Sequence, residues 1–262
     1  MIVGRSGCSY VVATLGSSNT RIQLCGRLAV EVEGRRIEDA LPGRQGRLLF
    51  AYLVAERLRP VRREALIEVL WPGKPPGSAD ASLRPLVSRL RQVLRERLVG
   101  RSELRVVLPP ESRIDIEVAG GCLHQAESAV SLGKWKEAWL PAQIGWSITS
   151  REFLTGCEGD WVEEHRRRLE ADHLRALQCI AAAGTHLGVS ELPDGERAAR
   201  SLIELAPYRE SGYRLLMEAL EARGEIAEAL FIHDQLRRML NEELGLTPGR
   251  EVQIVLERLL AR

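Results

Sequence analysis

The amino-acid sequence has no apolar run that approaches the roughly 18 consecutive residues of a membrane-spanning helix. Near its start, one basic residue, Arg5, precedes only a short apolar patch, so a secretory signal is not expected. The five cysteines are odd in number, far apart and without a CxxC pair, which disfavours both a disulfide framework and a zinc site. These absences predict a cytoplasmic protein with reduced thiols and no membrane contact, in which residues 1–20 form a loosely ordered leader.

Sequence motifs for catalysis and cofactor binding are also missing. A GxxxxGK(S/T) phosphate-binding loop is absent, because Gly73-Lys74 runs into prolines, and so is the glycine-rich dinucleotide fingerprint. His165 and His173 do not have the HExxH spacing of a zinc site. We therefore expect no enzymatic activity, no cofactor and no bound metal.

Charge is unevenly divided along a chain whose net charge is only +1. Residues 1–118 contain 20 Lys and Arg against 13 Asp and Glu, whereas residues 119–262 contain 17 against 23. The two parts thus carry +7 and −6, and this difference indicates two domains with different partners. A basic surface attracts polyanions through a sequence-independent field, although an incidental surface composition would give the same asymmetry.

The first part of the basic half has the periodicity of short strands followed by two helices. The segment IQLCGRLAVEVEGRRI (22–37) alternates apolar and polar residues, and its Glu33-Gly34 pair fits a turn. PGRQGRLLFAYLVAER (42–57) and PVRREALIEVLWP (60–72) then have apolar residues at helical spacing, and the second of them ends at a proline.

The rest of the basic half adds a third helix and a hairpin. SADASLRPLVSRLRQVLRERL (78–98) has helical periodicity, and in LRVVLPPESRIDIEV (104–118) two β-prone runs lie on either side of a pair of prolines. Strands, three helices and a hairpin in this order predict an α+β winged helix-turn-helix domain over residues 21–118.

Beyond residue 118 the strand signals stop and helical patterns follow. GKWKEA (133–138) and GEIAEA (224–229) share a G-x-apolar-x-E-A pattern, and DGERAARSLIELAP (194–207) is a looser third copy. Glycine lets the chain turn at these places, and the small alanine allows two antiparallel helices to pack closely. We expect residues 119–262 to form an all-α, tetratricopeptide-like helical array, so that the chain is a multi-domain protein.

The third predicted helix has one apolar and one basic face. At about 100° per residue, an apolar stripe is formed by Leu83, Val87, Leu90, Leu94 and Leu98. The outward face carries four arginines, two hydrogen-bonding neighbours and one acid, namely Arg84, Ser88, Arg89, Arg91, Gln92, Arg95 and Glu96. Arginine forks match phosphate oxygens and the major-groove edge of guanine, which favours DNA binding; the alternative is an ordinary solvated face.

Pro85 raises the question of where this helix begins. In a helix interior a proline costs about 3 kcal/mol, whereas in the first turn its missing N–H would have had no partner anyway. We favour a helix that starts near Leu83, with Ser82 as its N-cap. The alternative helix starts at Ser78 or Asp80 and bends at Pro85.

The strand segment 22–37 and the three helical segments of the basic half resemble the OmpR-type DNA-binding domain of the Streptomyces antibiotic regulatory protein family. ALFIHDQLRRMLNEELGLTPGREV (229–252) is similar to the end of that family's bacterial transcriptional activator domain, a tetratricopeptide-like module. The resemblance covers about residues 21–262, and LW, VSRLR and EELGLTPG in that order make it specific. It implies binding to double-stranded DNA at promoters, usually at repeated sites by more than one protomer, as in a homodimer on DNA, and contact with RNA polymerase.

The resemblance also implies which residues meet the duplex. By position, Arg84 and Pro85 lie where the family's recognition helix meets base edges, VSRLR (87–91) matches phosphate and base contacts, and Arg113 would lie in the wing. The residues expected to contact DNA are Arg62, Arg63, Ser82, Arg84, Pro85, Ser88, Arg89, Arg91, Arg95 and Arg113. Pro85 and Leu86 depart from the family's usual pattern, which leaves a second interpretation open: a protein-interaction adaptor whose winged-helix fold does not read DNA.

Overall fold

The structure, a computed structural model, describes residues 20–73 and 76–261. The predicted leader therefore lies outside the described residues, apart from Thr20. Within the described ranges, no helix is both long enough and apolar enough to cross a membrane.

The chain divides into two compact units. The first unit runs to Asp115 and also includes the later segment Leu154–Val162, and the second unit comprises Ile116–Phe153 and the residues from Glu163 onward. The sequence predicts a single boundary after residue 118, and it does not predict that a later segment belongs to the first unit. The assignment of separate functions to the two parts of the chain stays a prediction.

A four-stranded sheet opens the first unit. Its strands are β1 (Arg21–Gln23), β2 (Ala29–Val32), β3 (Arg35–Arg36) and β7 (Arg113–Ile114), in the order β3-β2-β1-β7, with β7 parallel to β1 and the other pairs antiparallel. Ile22 and Val30 are cross-strand partners and are both buried, so one face of the sheet belongs to the core. Glu33 and Gly34, with φ of 53° and 75°, turn the chain between β2 and β3, and this confirms the predicted turn.

Three helices follow in the first unit. They are α1 (Gly43–Ala55), α2 (Arg63–Leu70) and α3 (Ala79–Leu94). Each helix contributes leucines that are almost completely buried: Leu49 from α1, Leu66 from α2, and Leu83 and Leu90 from α3. α2 ends where it does because a proline disfavours a helical conformation of the residue before it, here Trp71. The helical segments predicted from residues 42–72 are thus confirmed.

A second sheet of the first unit contains the hairpin. Its strands are β4 (Val61–Arg62), β5 (Leu98–Val99) and β6 (Glu103–Val106), in the order β4-β6-β5 and all antiparallel. The chain turns between β5 and β6 at Gly100, where φ is 92°. A Cβ on this residue would lie 1.8 Å from the carbonyl oxygen of Glu103, so the turn requires glycine.

The hairpin predicted around the proline pair at 109 and 110 is wrong. The two β-prone runs on either side of these prolines belong to different sheets, since β6 pairs with β4 and β5 whereas β7 pairs with β1. Prolines lack the N–H that a ladder needs, so the chain leaves one sheet before Pro109 and joins the other at Arg113.

The second unit is helical. Its helices are α4 (Asp115–Ser131), α5 (Trp135–Thr149), α6 (Asp160–Leu187), α7 (Leu192–Leu205), α8 (Glu210–Arg223), α9 (Ile226–Leu244) and α10 (Arg250–Leu260), of which α4 and α6 begin in the first unit. Gly133 and Gly224, with φ of 67° and 90°, turn the chain between helices, and Ala138 and Ala229 of the same motifs are completely buried. The predicted helical array is thereby confirmed.

Two glycines let α6 and α7 approach each other. A Cβ placed on Gly184 of α6 would lie 2.7 Å from the Cα of Gly195 in α7. Real Cβ atoms do not come this close to backbone, so the crossing depends on the absence of side chains. Tight packing of small residues therefore holds this part of the second unit together.

Candidate nucleic-acid interface

The apolar face of α3 is buried as its periodicity predicts. Leu83, Val87, Leu90 and Leu94 are at most 3% exposed, and they anchor the helix to the core of the first unit. The helix ends at Leu94, because the next residue, Arg95, adopts a left-handed φ of 52°. Leu98, predicted to continue the stripe, is buried from strand β5 instead.

The start of α3 differs from the favoured prediction. The helix begins at Ala79, with Ser78 at the N-cap position, so Pro85 is its seventh residue and lies inside it. The N–H of Ser82 already donates to the carbonyl of Ser78 at 3.0 Å, which excludes Ser82 as the N-cap. The prediction that Pro85 lies in the first turn is therefore wrong, and the alternative start at Ser78 or Asp80 agrees with the structure.

Burial explains why the helix tolerates this proline. Pro85 cannot donate to a carbonyl of the preceding turn, at a cost of about 3 kcal/mol. Four buried apolar side chains of α3 contribute about 1.5–3 kcal/mol each, which outweighs that cost. Pro85 itself is exposed, so its ring lies on the side of the helix away from the core.

The outward side of α3 forms a shallow concavity together with α2. The concavity has a volume of about 430 Å³ and is lined by Arg63, Arg84, Val87, Ser88, Arg91 and Gln92. Four of the predicted DNA-binding residues, from two helices, thus come together at one surface. Arg62, also predicted, is exposed in β4. Its Nε lies 3.5 Å from Oε1 of Glu103 in β6.

A shared carboxylate organises the start of this surface. Asp80 accepts hydrogen bonds through Oδ1 from Nε of Arg63 at 2.8 Å and through Oδ2 from Nε of Arg84 at 2.9 Å. The hydrogen bonds from Arg63 and then from Arg84 lower the pKa of Asp80 below its usual value. The carboxylate is therefore ionised at neutral pH, and it joins α2 to α3.

Two arginines connect this surface to the β5–β6 hairpin. Nη1 of Arg63 lies 3.5 Å from the carbonyl oxygen of Arg101, and Nη2 of Arg91 donates to the carbonyl of Gly100. Both acceptors belong to the turn of the hairpin. The side chains of the concavity therefore also fix where the hairpin lies relative to α3.

The remaining predicted residues are distributed over several places. Arg89 is exposed on α3, and no hydrogen bond or ion pair of its side chain occurs within the described part of the chain. Arg95 is exposed at the C-terminal end of α3. Arg113 lies in β7 of the first sheet, so its expected place in the wing is wrong.

The hairpin contains basic residues that sequence reasoning missed. Arg101 lies in its turn and Arg105 in β6, and both are exposed. The signal for this hairpin was Gly100 directly after the short apolar run Leu98-Val99, ahead of alternating residues. The proline pair farther along the chain obscured it.

Residues 114–260 match the family model described as the bacterial transcriptional activator domain. The regulatory protein AfsR of Streptomyces griseus is 30% identical over 217 residues, which cover 82% of this chain and 22% of that protein. The transcriptional regulatory proteins EmbR and MoaR1 of Mycobacterium tuberculosis are 26% and 24% identical over 90% and 96% of this chain, and 62% and 83% of their own lengths.

A solved structure, Mycobacterium tuberculosis EmbR in complex with a low affinity phosphopeptide, matches with a TM-score of 0.79 at 23% identity. The match covers 93% of this chain and 65% of that one. At this identity the likeness shows the fold alone, a winged helix followed by a helical domain. The chain spans about a fifth of the length of AfsR and under two thirds of EmbR.

Proposed function

The chain belongs to the bacterial transcriptional activator domain family, among the transcriptional regulators of the Streptomyces antibiotic regulatory protein type, and on this premise we propose that it binds promoter DNA in a sequence-specific manner. In this proposal, α3 enters the major groove and the β5–β6 hairpin flanks it. The first unit is then the part of the chain that recognises the DNA sequence.

One observation carries the proposal: arginines and amide or hydroxyl groups converge on one exposed surface whose back is anchored by buried leucines. Arg84 and Arg91 lie there beside Ser88 and Gln92, and Arg63 joins them from α2. Guanidinium forks bind phosphates and guanine edges, and Ser and Gln donate to phosphates or bases. A rigid helix that presents these groups together has the chemistry that groove binding needs.

The exposed arginines divide into two kinds. Arg89 has no hydrogen-bond or ion-pair partner among the residues described, so its whole guanidinium is available to a base or a phosphate. Arg84 is 74% exposed although it is paired with Asp80. We assign base contact to Arg84 and Arg89, and phosphate contact to Ser88 and Arg91.

The further steps rest on the family. We propose that the regulator is an activator, that more than one protomer binds repeated promoter sites, and that contact with RNA polymerase involves the acidic helical part of the chain. Residues 119–262 carry a net charge of −6, so they would be repelled by the duplex and are suited to protein contacts. We also propose that the protein acts in the cytoplasm and is not an enzyme.

A second candidate function is the protein-interaction adaptor. It is favoured because several arginines of the surface make contacts within the protein itself. Arg63 and Arg84 are paired with Asp80, and Arg91 donates to the backbone. An arginine occupied in this way offers less of its guanidinium to a phosphate. Arg89, which is exposed and has no partner in the described ranges, argues for DNA instead.

Selection from a random-sequence duplex library tests the proposal. Bound fragments are sequenced, and fluorescence anisotropy then measures the affinity for the enriched duplex and for a random duplex of equal length at several salt concentrations. We expect the enriched duplex to bind about a thousandfold more tightly or better. The logarithm of the binding constant should also fall linearly with the logarithm of the salt concentration.

The two candidates give opposite results at low salt. A DNA-binding regulator binds even the random duplex there, because phosphate contacts supply most of the non-specific affinity. An adaptor shows almost no binding to either duplex and enriches no sequence, and this result would overturn the proposed function.

A further inference from the structure

We propose that Asp80 is a specificity-determining residue, which presents Arg84 to base edges and at the same time weakens binding to duplexes of the wrong sequence. The inference rests on the proposed function, since it concerns the same surface. An acidic side chain among arginines at a DNA-binding surface is at first sight a disadvantage. Its contacts give it a role.

The first step concerns the geometry of Arg84. Its Nε and Nη2 lie 2.9 Å and 2.8 Å from the same oxygen, Oδ2 of Asp80, so one edge of the guanidinium faces the carboxylate. The outer edge, formed by Nη1 and the second hydrogen of Nη2, has no partner between residues 20 and 261 where the structure describes them, and the side chain is 74% exposed. This edge presents two N–H donors, which is what a bidentate contact with the O6 and N7 atoms of guanine requires.

The second step concerns what holds Asp80 in place. Its other oxygen, Oδ1, lies 2.8 Å from both Nε and Nη2 of Arg63, a side chain that is only 20% exposed. Nη1 of Arg63 in turn approaches the carbonyl of Arg101 in the hairpin turn. Contacts with α2 and, through Arg63, with the hairpin therefore hold Asp80 in place, and Asp80 in turn orients Arg84.

The third step concerns the effect of the fixed position on affinity. A free arginine loses much rotamer entropy when it binds a base, and a guanidinium already held in the required orientation loses less. Asp80 therefore favours the duplex that offers a guanine opposite Arg84. A lysine at position 84 could not use this arrangement, because its ammonium cannot bind a carboxylate along one edge and a base along another.

The fourth step concerns the charge of Asp80. The carboxylate is 46% exposed at the edge of the phosphate-binding surface, and its ionised form is favoured by its two partners. It repels every duplex alike, whereas only the correct sequence regains the loss through Arg84. The repulsion by itself leaves the ratio of specific to non-specific affinity unchanged, and the ratio rises because Arg84 restores affinity for the correct sequence only.

The test compares the full chain with its Asp80→Asn variant on the enriched duplex and on a random duplex. Asparagine keeps the size of the side chain, removes its charge, and offers one acceptor oxygen instead of two. We expect tighter binding to the random duplex, with a salt slope steeper by about one unit. The ratio of specific to non-specific affinity should fall about tenfold to a hundredfold, the range of one bidentate base contact.

Asp39→Asn is the matched control, since Asp39 is an exposed acid of the same unit outside the concavity. It removes the same charge and should leave the ratio unchanged. A double-mutant cycle supplies a readout that a merely structural role would not affect: in an Arg84→Ala background, Asp80→Asn should change the ratio by less than about twofold.

The outcomes separate the two proposals. If the unmodified protein prefers no duplex, the proposed function fails. If it does prefer the enriched duplex but Asp80→Asn leaves the ratio intact, or lowers it equally with and without Arg84, the inference about Asp80 is wrong. Thermal unfolding of each variant shows whether a loss of binding comes from loss of fold. If a variant does not fold, Arg84→Lys, which keeps the charge, tests the same contact through the same ratio.

Discussion

Arg89 of the first unit differs from the arginines that join the helices of the second unit. In the second unit, Arg200 and Arg223 form ion pairs with Glu196 and Glu228, which connects α7, α8 and α9. On α3 of the first unit, Arg89 extends from an exposed face with no such partner in the described residues. Cations of the second unit thus stabilise the contacts between its own helices, whereas Arg89 is free to bind something else.

This difference shows that the number of arginines does not indicate their role. The basic residues number 20 up to residue 118 and 17 beyond it, nearly the same, whereas the carboxylates number 13 and 23. The two parts of the sequence therefore differ in the number of carboxylates for each basic residue, and not in the number of basic residues. If this view is correct, variants of the second unit should act on stability and variants of the first on DNA affinity.

The largest effect on stability is expected at the crossing of α6 and α7. Gly184→Ala forces a Cβ to within 2.7 Å of the Cα of Gly195, so the helices must separate, at a cost of about 2–3 kcal/mol in the free energy of unfolding. Chemical denaturation monitored by circular dichroism measures it. Gly120→Ala in α4, whose Cβ would meet nothing within 4 Å, is the matched control and should stabilise by about 0.5–1 kcal/mol. Equal effects of the two variants would contradict the role of close packing.

The next effect concerns DNA. Arg89→Ala should weaken binding to the enriched duplex by about 1–3 kcal/mol and relax the preference at one base pair, because one bidentate contact is lost. The free energy of unfolding should be unaffected, since Arg89 has no hydrogen-bond or ion-pair partner in the described structure. Anisotropy titrations on duplexes with single substitutions measure both quantities.

Two further arginines show what Arg89 contributes. Arg91→Ala should weaken all duplexes alike and flatten the salt slope by about one unit, as the loss of a phosphate contact does. Arg223→Ala, at an ion pair of the second unit, should leave DNA affinity unchanged. If Arg223→Ala weakens binding as much as Arg89→Ala, the comparison of the two units fails.

A smaller loss of stability is expected at the ion pair between α8 and α10. Glu221 is buried and accepts hydrogen bonds from Nε and Nη2 of Arg258 at 2.9 Å and 2.6 Å. Because Arg258 is 47% exposed, Glu221→Ala leaves its charge partly solvated, and we expect a loss of about 1–2 kcal/mol rather than the full cost of breaking a buried pair. Asp194→Ala, at the exposed pair with Arg197, should cost under about 0.5 kcal/mol.

Local signals predicted a large part of the first unit. The stripe of Leu83, Val87, Leu90 and Leu94 and the turn at Glu33 follow from residues close together in the chain, and the structure confirms them. The repeated glycines and alanines of the second unit were readable for the same reason. These features depend on periodicity and backbone freedom, which a sequence displays directly.

Features that depend on distant partners were not predictable in this way. The propensity of Pro85 favoured a late helix start, but burial of the apolar stripe outweighed it, and Ser78 rather than Ser82 precedes the helix. Arg113 joins β1, about ninety residues earlier in the chain, instead of the wing. The pairing of Asp80 with Arg63 spans two helices, so no local pattern indicated it.

The smallest effect concerns pH and again distinguishes the units. His233 of α9 is buried, and burial, with a further contribution from Arg237, lowers its pKa below the usual value of 6.5; Asp234 acts in the opposite direction. The unfolded chain therefore binds this proton at a higher pH than the folded one. The contribution of neutral His233 to the free energy of unfolding is complete above about pH 6.5. It falls as the pH drops below that value, because the unfolded state then takes up more protons.

His233→Gln should flatten this dependence between pH 7 and pH 5, although it does not abolish it, since burial also lowers the pKa of His173. Urea unfolding at four or five pH values measures the slope, which for one group cannot exceed about 1.4 kcal/mol per pH unit. Affinity for DNA, corrected for the folded fraction, should not follow the same curve, since both histidines belong to the second unit. An unchanged slope in the variant would show that His233 does not couple protonation to the folding of the second unit.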